Sequence, residues 1–549
     1  LRDKFATGLF LGVGLLGVYL FVGGRGTIAA DSIPNMLLAC SIVRDFDSTF
    51  TPEEAPSLFR WQVLHEGHSQ EVLLTRLDPS TRELIRSGQL EFVGPTYLSV
   101  ESRWPGRYVS TFPPGASWMA VPAYLAGGLF VGDVAEHPRL MWWIGRGVAA
   151  LCAAGSGVFV YATCRRIASN PLSLLLTMGY ALGTSVWTTS SQGLWQHGPA
   201  ELLAAAAIYL LSNGSVPVRH PAMMGALLGG ATLCRSTYGG LVLTVGLYLL
   251  WVDRAALMRY IAGGLPWAMF LAAYNAACFG SPFLMGEALV PDHAISKTGS
   301  DGVFSTPIWI GLATSLISPN RGLLVFSPML ALGMVGWWRS GLARVPRWIG
   351  SLVGGALLMT WIQSVYFDYW GGWCYGNRNL VDTVVVWMPA VTWGLATQAG
   401  CVPRWMLGIA IAWGIGLQAL GAFYYSPGAW NGRILYRVGE GDRSTITHRE
   451  AEARRRSERG EGEIVPVDGN IDRPENRYRL WSLRDSQMGV ILDAVRRNRP
   501  ADGSIANEFV LSRAEDRSRN LERLAQAFEQ VGHRAEAERQ RSLAKEVVR

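Results

Sequence analysis

Apolar stretches of roughly 17–25 residues, each long enough to cross a bilayer, recur along the first four-fifths of this chain. No other feature restricts the fold as much. In hydrocarbon every backbone N–H and C=O must find a partner inside the protein, so segments of this length cross as helices. The shorter alternating strands of an outer-membrane barrel are absent. Composition points the same way: of 549 residues, 49% are hydrophobic and only 17% charged, where a soluble chain carries about a quarter charged. A soluble enzyme, a disulfide-stapled secreted domain and a disordered scaffold are excluded. The net charge of +7 says little about nucleic acid, because Arg and Lys of membrane proteins gather in cytoplasmic loops. The seven cysteines are scattered and odd in number, with no disulfide framework or metal spacing. Most, including Cys152, Cys164, Cys234 and Cys278, read as small buried hydrophobes.

Arg2 and Lys4 place the N-terminus in the cytoplasm. The first apolar segment, Phe5 to Gly23, is too long for a simple signal peptide; the chain opens on Leu1, so a few residues are expected ahead of it. A long polar stretch, Gly24 to about Thr111, follows outside. Ser117–Val131 is apolar but short, and Pro122 and Gly127-Gly128 interrupt it, so it reads as a juxtamembrane or re-entrant helix. The remaining crossings fall at about Leu140–Cys164, Leu172–Thr189, Pro199–Leu211, Met223–Cys234, Leu241–Val252, Ile261–Phe279, Leu323–Trp338, Ile349–Tyr366, Leu380–Ala396 and Trp405–Tyr424. Every short loop placed inside then carries Arg, and counting Ser117–Val131 as a crossing would reverse them all. The expectation is an all-α polytopic membrane protein of about eleven crossings. It has a transmembrane domain over 1–425, with a large first extracytoplasmic loop and juxtamembrane helices over 24–135. A polar loop, Gly280 to about Arg321, lies outside. The tail, 426–549, is rich in Arg and Glu. Glu450–Arg459 and Arg513–Lys545 read as charged helices, making a small α-rich extracytoplasmic domain or docking arm.

Polar groups collect at the extracytoplasmic ends of the crossings. Asp31-Ser-Ile-Pro-Asn35 leads into an amphipathic helix, Met36–Val43, and then Arg44-Asp45-Phe46-Asp47. Trp195, His197 and Glu201 lie where one crossing ends and the next begins; Arg235 tops another. Arg321 precedes the crossing at Leu323, and Trp370, Trp373, Tyr375 and Arg378 precede the one at Leu380, with Asp382 a turn later. Ionisable groups at membrane depth are costly and usually retained for a task. Arg235, Arg321 and Arg378 suit bidentate contacts with phosphate oxygens. Asp31 suits a general base toward a hydroxyl. Trp370, Trp373 and Tyr375 suit stacking on a sugar or lining a lipid groove. Each has a plainer reading: Asp45 and Asp47 as solvated or capping residues, His197 and Glu201 as partners one helical turn apart, the aromatics as an interfacial belt, a lone Arg as a snorkelling side chain.

Taken together, these segments resemble the membrane-embedded, lipid-phosphate-sugar-dependent glycosyltransferases of the GT-C fold, a group of poorly characterised bacterial members in particular, distantly like the aminoarabinose and protein mannosyl transferases. Asp31-Ser-Ile-Pro-Asn35 with Arg44-Asp45-Phe46-Asp47 resembles their first-loop acidic motif. Ser110-Thr-Phe-Pro113-Pro114-Gly115 resembles the Pro-Pro segment of their juxtamembrane helices. Leu194-Trp195-Gln-His197-Gly, Leu316-Ile-Ser-Pro-Asn-Arg321-Gly and Trp370-Gly-Gly-Trp373-Cys-Tyr-Gly-Asn-Arg378 resemble further elements of that group. The likeness covers roughly residues 5–425 and extends weakly to Tyr478-Arg-Leu-Trp481. It implies transfer of a sugar from a polyprenyl-phosphate donor to a hydroxyl of a lipid, glycan or protein, with inversion, at the outer face of a bacterial inner membrane. It implies Asp31 as base, Arg321 and Arg378 on the donor phosphate, and in some relatives a divalent cation such as Mg or Mn; no metal ligands are assigned.

Two other classes stay open. A polar-lipid transporter would show broken helices near the midplane and repeated halves, and no clear repeat is present. A non-catalytic subunit that keeps the fold would use the charged tail as an arm for partner proteins.

Overall fold

The computed structural model describes residues 2–21, 30–52, 54–55, 58, 60–65, 68–73, 91–93, 98–289, 302–339, 344–397, 402–425, 430–441, 445–447, 449–496, 529, 538, 541–542 and 545. Its helices are α1 (Arg2–Phe21), α2 (Ile33–Asp45), α3 (Gly115–Val131), α4 (Pro138–Ile167), α5 (Asn170–Leu182), α6 (His197–Leu211), α7 (Pro221–Cys234), α8 (Gly239–Val252), α9 (Arg254–Phe279), α10 (Ile308–Ile317), α11 (Pro328–Arg339), α12 (Arg347–Val365), α13 (Val381–Thr397), α14 (Arg404–Tyr424), α15 (Glu450–Glu458) and α16 (Gln487–Arg496). The strands are β1 (Arg60–His65), β2 (His68–Leu73), β3 (Glu91–Val93), β4 (Ser99–Glu101), β5 (Tyr108–Ser110), β6 (Ile434–Val438), β7 (Ile446–Thr447) and β8 (Ile464–Asp468). The chain is mostly helical. Four helices, α4, α9, α12 and α14, are long and apolar enough to cross a membrane.

Every apolar segment read as a crossing coincides with a helix, and the breaks have local causes. The segment at Leu323 is interrupted: one helical turn, Leu323–Phe326, precedes α11. Pro328 lacks an N–H and pushes the residue before it out of helical geometry; Ser327 sits at φ −137°, ψ 63°. The segment at Leu172 ends as α5 and continues as a π-turn over Val186–Ser190. Helix α9 starts at Arg254, earlier than predicted, because the Asp253 side chain accepts the Ala256 N–H at 2.9 Å and caps it.

The core is the helix bundle. Helix α4 packs on α1 and α6, α7 on α9, α8 on α12, and α11 on α13. Close approach is made by small residues, which let two backbones meet. A Cβ at Gly225 would lie 1.9 Å from the Tyr260 carbonyl, and one at Gly263 1.9 Å from that of Ala222. The six described cysteines are free and buried.

Three sequence expectations need correction. The polar loop after α9 contains a helix, α10, whose Gly311 packs on the Ser364 backbone of α12. The predicted amphipathic helix Met36–Val43 extends over Ile33–Asp45 and is buried on nearly all sides through Ile42, because α3 and α4 cover it. The tail is not simply α-rich: β6 pairs antiparallel with both β7 and β8. Its strands are short and amid charged residues, so alternation is weak in sequence. The helix expected at Glu450 is present as α15; that at Arg513–Lys545 lies almost wholly outside the described residues. The first loop carries the antiparallel sheet β2-β1-β3 and the hairpin β4-β5.

The tail module docks on the loop between α12 and α13. Tyr369 and Trp370 pack against Trp430, Ile471 and Leu480, and Asn320 donates to the Arg479 and Ser482 carbonyls at 2.8 and 2.9 Å.

Candidate active site

Asp31 lies in a 3-10 turn, Ala30–Ser32, immediately ahead of α2. Asn35, one turn into α2, donates to the Leu194 carbonyl at 2.9 Å. That bond ties the start of α2 to the segment before α6, and so carries Trp195 beside Asp31. Arg378 comes from the α12–α13 loop, which turns back through Gly371 and Gly372 at φ 83° and 65°, a region that favours glycine. Asp368 holds that turn: its carboxylate accepts the Gly372 N–H at 3.0 Å and its carbonyl accepts the Asn379 amide at 2.7 Å. The guanidinium of Arg378 then pairs with the Asp31 carboxylate and lies 4.7 Å over the Trp195 ring.

A second charged arm stands near the same indole. His197, the first residue of α6, has its ring 6.1 Å from that of Trp195. Its Nδ1 is 3.0 Å from both carboxylate oxygens of Asp382. Asp382 lies in the first turn of α13, where the helix dipole favours an anion. Arg235, leaving the end of α7 in extended geometry, donates from Nε to Asp382 at 2.9 Å and from Nη1 to Gln196 at 2.8 Å. Tyr238 donates to the Asp382 carbonyl at 3.1 Å.

Both arms line one cavity. Its lining combines Asp31, Trp195, His197, Arg235, Asp368 and Arg378 with Phe112, Val303, Phe304, Ile362, Tyr366 and Phe367. Glu287 lines it too, and burial pushes its carboxyl above the usual carboxylate range, with Arg235 opposing. Two guanidinium groups, carboxylates and an imidazole among apolar side chains can hold the anionic head of an amphiphile and move a proton.

Other residues singled out from sequence lie elsewhere. Arg321 is fully buried. It donates to the carbonyls of Cys374 and Gly372 at 2.7 and 3.0 Å and to Asn431 at 2.6 Å. It clamps the α12–α13 loop to the tail instead of facing the cavity. Trp370 is buried, with its indole N–H 3.1 Å from Asp472, and Tyr375 donates to the Leu417 carbonyl at 2.9 Å. Trp373 packs partly buried in the same docking cluster. These aromatics are covered by the tail, so none lines the cavity. Asp45 pairs with Arg44 at 2.5 Å; Asp47 accepts the Thr49 N–H and hydroxyl at 3.1 and 2.8 Å and pairs with Arg107. Both are the solvated, turn-forming residues of the plainer reading. Glu201 is buried within the bundle, accepting the Ser190 hydroxyl at 2.8 Å, and partners Ser190 where His197 partners Asp382.

Sequence reasoning missed Asp368 and Glu287. Asp368 had a signal, a carboxylate three residues before a Gly-Gly turn; Glu287 sits in an unremarkable polar loop. No family model matches the chain, and no curated protein or solved structure matches it.

Proposed function

We propose that the protein transfers a sugar from a polyprenyl-phosphate-linked donor to a hydroxyl acceptor at the extracytoplasmic face of a membrane, on a GT-C-like bundle of about eleven crossings. The observation that carries this reading is the cavity itself. Asp31, Arg235 and Arg378, from three distant parts of the chain, line one cavity together with the apolar side chains of Phe112, Val303, Phe304, Ile362 and Phe367. A donor of this class has an anionic head and a hydrocarbon chain, and needs both kinds of side chain at once.

The chemistry follows from the charges. Donor phosphate draws the Arg378 guanidinium from Asp31, and the carboxylate so released takes the proton of the attacking hydroxyl as it reaches the anomeric carbon. Arg378 and Arg235 lie where negative charge develops on the departing phosphate. Among the described residues no three His, Cys, Asp or Glu side chains group as a cation site requires, and Asp31 faces a guanidinium. The reading is drawn through side chains alone.

The test is Asp31→Asn in proteoliposomes. Loss of labelled-sugar transfer by about 10²-fold or more, the range for a positioned proton acceptor, with unchanged thermal melting supports catalysis. Unchanged transfer-dependent phenotype in cells would favour the non-catalytic subunit instead.

A further inference from the structure

We propose that His197 is the proton donor to the departing phosphate, held for that task by Asp382. This rests on the donor reading above and adds a residue to it. The starting observation is which atoms of the second arm are already used. His197 Nδ1 is taken by both Asp382 oxygens at 3.0 Å. Arg235 Nε and Nη1 are taken by Asp382 and Gln196. Among the described residues His197 Nε2 and Arg235 Nη2 take part in no hydrogen bond, and both side chains line the cavity. An anionic oxygen placed between them receives one donor from each.

Charge counting gives that donor its role. A sugar phosphodiester enters with one negative charge; transfer leaves a phosphate monoester with two, plus one proton from the hydroxyl. In a cavity lined partly by apolar side chains and holding the carboxylates of Asp31, Glu287 and Asp368, a second negative charge on the phosphate is costly even beside Arg235 and Arg378. Burial holds the His197 imidazole below its ordinary pKa, with Asp382 opposing, so the ring takes up its second proton with the anionic donor; the imidazolium so formed, between Asp382 and the phosphate, gives its Nε2 proton to the oxygen whose bond to the anomeric carbon breaks. The phosphate leaves as a monoanion and His197 becomes neutral. The hydroxyl proton goes to Asp31, which passes it to water, and water returns a proton to His197 for the next cycle. Asp382 is a positioning residue: it fixes the ring through Nδ1 and balances the imidazolium, as a carboxylate does for histidine in hydrolytic triads. The charged and titratable groups around the ring are Asp382 on α13, Arg235 after α7, Glu201 one turn along α6, Tyr238 before α8, and the Asp31–Arg378 pair near Trp195.

The experiment compares wild type, His197→Gln and His197→Gly in proteoliposomes. The donors are undecaprenyl-phosphate-linked glucose, mannose and arabinose, labelled in the sugar, with a membrane lipid extract as acceptor. Expected for His197→Gln are a kcat lower by about 10²- to 10⁴-fold, a donor KM within about threefold of wild type, and loss of the alkaline limb of the pH–rate profile. Added imidazole restores part of the rate of His197→Gly, which also shows that variant to be folded. Wild-type turnover with His197→Gln equally active, alkaline limb intact, overturns the proton assignment and leaves the donor reading standing. No turnover of any donor by wild type overturns the donor reading and this assignment together.

Discussion

Replacing Arg321 with Met separates a clamp from a ligand-binding cation. Arg321 gives three hydrogen bonds of 2.6–3.0 Å to Asn431, Cys374 and Gly372, and its guanidinium lies 5.2 Å over the Trp430 ring. Met keeps the stem and removes the charge. Three acceptors with little solvent then lose their donor. A hydrogen bond involving a charged group is worth about 1.5–3 kcal/mol net. The three are not additive, because they share one group. The acceptors left behind are neutral, so the expected loss is that of buried acceptors without a donor, about 1–3 kcal/mol for each. It falls on one joint, the α12–α13 loop with the tail module, so the module is released before the bundle unfolds. Trypsin digestion in detergent reads this directly: the tail, with many Arg sites, is removed from Arg321→Met under conditions that leave wild type intact, and the melting temperature falls. On the proposed function, sugar transfer falls as well, because the same loop carries Arg378. A variant with wild-type protease resistance and melting, but a raised KM for the donor, would refute the clamp and return Arg321 to the phosphate.

Two further outcomes follow from the same contacts. On the proposed function, Asp45→Asn and Asp47→Asn leave sugar transfer unchanged and alter stability by less than about 1 kcal/mol, the usual worth of exposed ion pairs, since both carboxylates are at least partly open to solvent beside Arg44 and Arg107; thermal melts and transfer assays check this, and loss of transfer with intact melting would put the first-loop acids into the site. Gly263→Leu costs about 3 kcal/mol or more, above the ordinary range for overpacking, because even its Cβ would meet the Ala222 carbonyl at 1.9 Å. Gly239→Ala, with nothing within 4 Å of the added atom, serves as the control; gel filtration in detergent shows aggregation of the first and a single peak for the second.

How much of the site was legible differs residue by residue. Asp31, Arg235 and Arg378 stood out as ionisable groups at span ends, a property of local sequence. Arg321 stood out for the same reason and turned out to be a clamp, because its acceptors, Asn431 and the carbonyls of Gly372 and Cys374, are supplied by chain more than fifty positions away or by the tail. The Trp-Gly-Gly-Trp segment was equally conspicuous and is equally structural. An indole in a loop has the same local signature whether a sugar or a tail module covers it.

Sequence by itself marked the long apolar helices, since hydropathy is a property of each segment alone, but not α10 in the loop read as polar. The break at Pro328 and the cap at Asp253 depend on one or two neighbours and so were open to a sequence reading, although the expected crossings ran unbroken from Leu323 and began only at Ile261. Only the tertiary structure decided which charges meet. Asp31 and Arg378 are 347 positions apart, and His197 and Asp382 are 185 apart. Such pairings are set by how helices pack and loops cross, and no window along the chain contains both partners. Whether a buried arginine holds protein or ligand is likewise a question of which acceptors surround it, and that is known only once the chain has closed on itself.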